Sequence, residues 1–160
     1  MYLISACLCG INCKYNGGNN YHPYFQKLLH ENKVVPVCPE DLGGLPTPRT
    51  PCEIYAGGGE AVLKGHNKVI NKDGIDVTSN FLKGAYKTLT LAQNSGIKMA
   101  ILKSRSPSCG VGQIYDGSFN SILIPGDGVT TALLKKCGFT VISDECYLKN
   151  ANGVNEFESS

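Results

Sequence analysis

The sequence predicts a doubly wound α/β domain with a mainly parallel sheet and a small added hairpin. Three observations predict it. Apolar runs of strand length occur at residues 2–6, 33–37, 98–102 and 139–142, and segments with helical apolar spacing stand between them. That alternation of strand and helix, joined by right-handed crossovers, makes the strands parallel. At 160 residues, 42% of them hydrophobic and 18% charged, the chain is long enough for one core and too short for two large ones.

Tyr2 to Ala6 is suited to a buried strand, and it stops at Cys7-Leu8-Cys9-Gly10. Asn16-Gly17-Gly18-Asn19-Asn20 is turn-rich. From His22 onward Phe25, Leu28 and Leu29 recur at three and four, and Pro23 suits a first helical turn, so a helix is expected to about Asn32. Lys33 to Val37 reads as a second strand that stops at Cys38-Pro39-Glu40, with Pro36 predicting an edge or irregular position. Asp41 to Pro51 holds Gly43-Gly44 and three prolines, which forbid regular structure and predict a rigid loop. Ala61 to Lys72 alternates around Gly65-His66-Asn67 and predicts a small hairpin.

Asp76 is a good N-cap, and Val77, Phe81, Leu82, Ala85, Leu89 and Ala92 mark one face of a long helix ending near Ser95-Gly96. Lys98 to Leu102 is the third strand and leads into Lys103-Ser104-Arg105-Ser106-Pro107-Ser108-Cys109-Gly110. Ile114 to Gly117 and Ile122 to Pro125 flank a turn, as a second hairpin or a pair of extended segments. Asp127 is the expected N-cap of a helix from Val129 to Cys137 that stops at Gly138, and Phe139 to Ile142 is the last strand. Residues 1–150 form the expected single domain, and 151–160 a loose polar tail.

A net charge of +2 with no run of like charges permits a polyanionic partner without implying one. No stretch approaches the roughly eighteen apolar residues of a membrane span, and the first residues carry no basic leader, so a cytoplasmic protein is expected. Eight cysteines in a reducing compartment point to metal or redox chemistry rather than to a disulfide framework.

Three of those cysteines follow strands: Cys7 the first, Cys38 the second, Cys109 the third. Parallel strands bring their carboxyl ends to one edge, where ligands of open α/β sheets bind. Convergent thiolates make a metal site. Structural zinc usually uses a local Cys-x-x-Cys pair, which is missing here, whereas iron-sulfur clusters accept thiolates spread along a chain. Three thiolates on a four-iron cluster leave one iron open to act as a Lewis acid toward a soft sulfur or oxygen. Cys9 and Cys13 lie close enough to Cys7 to replace it or to accept sulfur, while Cys52, Cys137 and Cys146 read as ordinary thiols, Cys137 as a packed one. His22, His30 and His66 have no metal-type spacing.

Four motifs in order carry a family resemblance: Ser5-Ala6-Cys7-Leu8 with Lys14-Tyr15-Asn16-Gly17; Pro36-Val37-Cys38-Pro39-Glu40 with Gly43-Gly44-Leu45-Pro46; Ser106-Pro107-Ser108-Cys109-Gly110 with Tyr115-Asp116-Gly117; and Gly126-Asp127-Gly128-Val129-Thr130. From about residue 2 to 145 the chain resembles the thiouracil desulfidases, formerly a bacterial domain family of unknown function. The resemblance implies a Rossmann-like three-layer domain whose 4Fe-4S cluster, held by three cysteines, removes sulfur from thiolated nucleobases without net redox change, the open iron binding the substrate sulfur. It implies Cys7, Cys38 and Cys109 as ligands, Glu40 as the acid/base carboxylate, and Ser106 as the assisting hydroxyl with Ser108 as second choice. Family members often have Arg-Tyr-Asp-Gly where this chain has Lys14-Tyr15-Asn16-Gly17, which removes one carboxylate and leaves the ligands intact.

The loop containing Gly43, Gly44 and Arg49 is the expected wall of a substrate pocket, with Arg49 near a pyrimidine carbonyl. A free 2- or 4-thiouracil type base is the expected substrate. Thiolated uridine in tRNA is the variant, set second because RNA affinity rests on phosphate contacts and the charge is near neutral. A non-catalytic metal or sulfur carrier is the alternative from another class. The sequence leaves the oligomeric state open.

Overall fold

The computed structural model describes the backbone of residues 1–158. In chain order, β1 (Tyr2–Ser5) and a 3-10 turn (Ala6–Cys9) lead to α1 (Pro23–His30), β2 (Val34–Val37) and α2 (Pro39–Leu42). Then come β3 (Cys52–Ile54), α3 (Gly59–Leu63), β4 (Val69–Asn71) and α4 (Thr78–Asn94). The rest is β5 (Met99–Leu102), β6 (Gln113–Tyr115), β7 (Leu123–Pro125), α5 (Val129–Lys136), β8 (Thr140–Ser143) and α6 (Asp144–Glu158).

The central sheet runs β2-β1-β5-β8 and every pairing in it is parallel. Pro36, which has no N–H to give, sits opposite Ile4 on β2, an edge strand with β1 as its one neighbour. Alternation along β1 and β5 divides the core between the two faces of the sheet. Leu3, Ala100 and Leu102 face the side packed by α4 and α5, whose Phe81, Ala85, Leu133 and Leu134 are buried there. Ile4 and Ile101 face the opposite side with Phe25 and Leu28 of α1 and with Tyr147 of α6. Burying a side chain such as Phe25 or Phe81 contributes about 1.5–3 kcal/mol, so these two layers fix which strand ends meet.

Several local expectations need correction. Ala61 to Lys72 is no hairpin: Gly59–Leu63 is helical, and β4 pairs antiparallel with β3, which lies before that helix. The alternation in the sequence came from one helical turn followed by one short strand. The second hairpin is real, as β6 with β7. Asp127 does not cap α5; Gly128 does, and the Asp127 carboxylate accepts the Gly112 N–H at 2.8 Å and meets Lys135 at 3.0 Å. Cys137 is exposed rather than packed. The expected tail boundary at 151 falls within α6, and the last two expected tail positions, 159 and 160, lie outside the described residues.

The turn carrying Cys38 and Glu40 is pressed against α4 through two glycines. A Cβ on Gly84 would overlap the Pro39 carbonyl oxygen, and one on Gly43 the Asn80 carbonyl oxygen; the Asn80 amide donates to Gly43 O at 2.9 Å. Both obstacles are backbone and cannot swing aside. Gly84→Ala is therefore expected to destabilise the protein by about 1–3 kcal/mol, read as a lower urea midpoint. An unchanged midpoint would show that the α2–α4 contact is loose.

Candidate active site

The chain leaves β1 toward β2 on one side, while β5 pairs on its other side, so the sheet changes direction between β1 and β5. Ligands of open α/β sheets sit in the crevice outside such a switch point. A cavity of about 450 Å³ opens there, lined by the ends of β1, β2 and β5 and by loops from the added hairpins. Cys7, Cys38, Cys109, Glu40, Arg49, Ser106 and Ser108 all line it. Gly43 and Gly44 do not; they shape the α2–α4 contact instead.

Each of the three strand-end cysteines is delivered by a local device. Cys7 lies in the 3-10 turn after β1, which Gly10 closes at φ +89. Cys38 is the extended residue before α2, where Pro39 starts the helical turn with its fixed backbone angle. Cys109 sits in a loop stapled to α5: Val129 and Thr130 donate their N–H groups to the carbonyls of Pro107 and Ser108, and Gly128 to that of Gly110. Those helix-start N–H groups are thus used within the protein.

The hydrogen-bond roles of the thiols sort them into two kinds. Cys7 Sγ accepts from the Cys13 thiol and from the Asn20 amide at 3.4 Å, and its pKa is lowered to about 7, chiefly by Cys13. Cys38 is also lowered, again chiefly by the Cys13 thiol, although in the structure the Cys38 thiol itself donates to Cys13 O at 3.7 Å. Cys109 is fully enclosed and burial pushes it up to about 12, yet the hydroxyls of Ser5 and Ser108 both favour its thiolate, Ser108 at 3.5 Å. Cys7 and Cys38 are thus disposed toward the thiolate, whereas at Cys109 burial outweighs the two hydroxyls and favours the thiol. Cys13 is the opposite: its one S–H lies between Cys38 and Cys7 and can serve either, and its own ionisation is strongly disfavoured by both neighbours and by burial. Burial raises Cys9 to about 11 and Cys52 to about 12, and their thiols donate to the carbonyls of Phe25 and Thr50.

Glu40 is held by Arg49, whose Nη2 lies 3.0 Å from Oε2. Burial pushes the carboxyl up and the guanidinium pulls it down, with burial the larger. Arg49 is only 4% exposed in its side chain. Its Nη2 also donates to Cys13 O at 2.7 Å, and its Nη1 to Thr47 Oγ1 at 2.9 Å. The guanidinium therefore ties together three segments at the cavity, a role that sequence reasoning did not assign to it.

Ser106 Oγ accepts the N–H groups of Ser108 and Cys109 at 3.2 and 3.1 Å and lies 3.0 Å from Ser108 Oγ. Its hydroxyl hydrogen starts a path through Ser108 to Cys109 Sγ. Sequence reasoning did not single out Asn20, Ser5, Lys103 or Asp144. Asn20 had no signal within a turn-rich stretch; Asp144 accepts Ser104 N–H at 2.8 Å and lies 3.7 Å from Lys103 Nζ, and only the topology brings it there.

The donor set suits a polynuclear iron-sulfur cluster. Three thiols from separate strand ends surround one cavity, each with hydrogen bonds favouring its thiolate, and such bonds to ligand sulfur tune clusters. Among the described residues, no three His, Cys, Asp or Glu side chains are grouped to hold a single metal ion.

Three comparisons bear on this geometry. The family model for 2-thiouracil desulfurase matches residues 2–146. Protein YbbK of Bacillus subtilis (strain 168) is 49% identical over 144 residues, which cover 90% of this chain and 95% of that protein. The solved structure of the [4Fe-4S]-dependent thiouracil desulfidase TudS superimposes with a TM-score of 0.81 at 37% identity, covering 96% of this chain and 97% of that one.

Proposed function

The chain belongs to the 2-thiouracil desulfurase family, and from that premise we propose that it removes the sulfur of a 2- or 4-thiouracil type nucleobase with a 4Fe-4S cluster held by Cys7, Cys38 and Cys109. The observation that carries this reading is the meeting of three strand-end thiols and one largely enclosed carboxylate in a single crevice. The reaction exchanges C=S for C=O: water supplies the oxygen, the sulfur leaves as hydrogen sulfide, and no electrons are gained or lost. When bound, a cluster on three thiolates supplies an iron with a free position, a Lewis acid for the thione sulfur.

The protein's own residues do the rest. Glu40 has Oε2 on Arg49, while Oε1 has no partner among the described residues, so Oε1 is the atom that takes a proton from the attacking water. Ser106, with its lone pairs on two backbone N–H groups, is left with its hydrogen to donate to the base ring or to pass through Ser108. Lys103 lines the same cavity and its positive charge favours the Cys7 thiolate. A carrier that only ferries metal has no use for a carboxylate beside its thiols, which favours the enzyme.

A free base rather than tRNA remains the proposed substrate, in a cytoplasmic enzyme whose activity resides in one domain. Among the described residues no helix is long and apolar enough to cross a membrane. The test is an anaerobic assay on the reconstituted protein. Loss of the thione absorbance of added thiouracil, matched mole for mole by hydrogen sulfide, is expected; an intact cluster that leaves both thiouracils untouched would reject this substrate class. Cys13→Ser, which keeps a hydroxyl donor for Cys7 or Cys38, is expected to retain about four irons per chain. Loss of iron from that variant would make Cys13 a ligand.

A further inference from the structure

Arg49 leaves one bond unmade. Its side chain lines the cavity and is 4% exposed, and both Nη atoms are engaged, Nη2 with Cys13 O and Glu40 and Nη1 with Thr47 and Pro46. Its Nε is buried with no partner. Buried N–H groups are nearly always paired, and an orphan at a ligand site calls for an acceptor that arrives with the ligand. A guanidinium fixes its donors in one plane, so the four Nη bonds also fix where Nε–H points.

On the reading that the cavity holds an iron-sulfur cluster, we propose that Arg49 is a positioning residue with two jobs. Its Nη2 sets the Glu40 carboxylate and the Cys13 backbone, and its Nε–H donates to a sulfur of the bound cluster. The guanidinium donates to the Cys13 carbonyl at 2.7 Å and its charge acts on Cys38, which puts it on the Cys38 side of the cavity. A cationic donor beside the cluster stabilises its more negative, reduced form. Lysine keeps the charge but cannot reproduce the fork.

The experiment compares wild-type, R49K and R49Q proteins reconstituted anaerobically, measuring iron content, midpoint potential, kcat and KM, with thermal melting of the cluster-free chains as control. The expected result is about four irons in all three proteins and a more negative potential in R49Q that R49K partly restores. In both variants kcat should fall at least about tenfold with KM changed less than about threefold, because Glu40 loses the Nη2 donor that holds its Oε2. Wild-type potential in both variants would overturn the proposal. So would a large rise in KM with kcat retained, which would make Arg49 a plain substrate contact. Failure of both variants to take up iron, accompanied by a lower melting temperature of the cluster-free chain, would assign Arg49 to the fold alone and also overturn it. A wild-type protein without a cluster would reject the underlying function instead, and the two failures are distinct.

Discussion

Replacing Glu40 by Gln is expected to remove turnover by at least about 10²-fold while iron and sulfide content stay at the wild-type level. Glutamine fills the same volume, and its amide oxygen still accepts from Arg49 Nη2, so the α2 turn keeps its place. What disappears is the basic oxygen that draws a proton from water. The carboxylate is well situated for that work, since burial raises it above an ordinary surface glutamate while Arg49 preserves its charged form. Steady-state desulfidation by the reconstituted variant is the check. Wild-type turnover in E40Q would remove Glu40 from the chemistry and leave Arg49 with a purely structural partner.

Cys109→Ser is expected to abolish the cluster, taking iron from about four per chain to below about one and activity with it. Serine is a poor ligand for iron, and the position is wholly buried, so no neighbouring water replaces the thiolate easily. The chain itself should still fold. Ser5 and Ser108 offer hydrogen bonds to the new hydroxyl, and the loop is held by backbone bonds to α5 that the substitution does not touch. Cys137→Ser, on the exposed end of α5, is the matched control and should keep both cluster and activity. Full iron in Cys109→Ser would mean that a different thiol set holds the cluster, with Cys13 the first to test.

The parallel sheet was legible because its four strands are short apolar runs separated by amphipathic helices, and parallel strands must deliver their following residues to one edge. That single inference brings Cys7, Cys38 and Cys109 to one cavity although they span about two-thirds of the chain. What stayed hidden was set by tertiary contact. Ala61 to Lys72 alternates like a strand, yet the partner of β4 lies upstream at Cys52–Ile54, and a local pattern cannot name a distant partner. The α6 helix begins with Asp144 and Glu145 at its positive end and is held by Tyr147 against Tyr2, Tyr24 and Phe25. The polar composition after Asn150 disguised it.

The same limit applies within the site. The loop of Gly43 and Gly44 read as the wall of a substrate pocket, yet Gly43 lies against the backbone of α4 and neither glycine lines the cavity. Arg49 was legible as a cation near the substrate loop, but not as the tie between Glu40 and the Cys13 carbonyl. Cys13 read as an alternative ligand or a sulfur acceptor, and its contacts with both Cys7 and Cys38 exist only once the 3-10 turn and the end of β2 are brought together.

The most direct test of the central claim is Mössbauer spectroscopy of the iron-57 reconstituted protein, recorded anaerobically with and without 2- or 4-thiouracil. The account predicts about four irons per chain, three of one kind and one distinct, with only the distinct iron's signal changing when the thiolated base is added. Four equivalent irons that do not respond to the base, or zinc in place of iron, would contradict a cluster held by three cysteines with one position open to substrate.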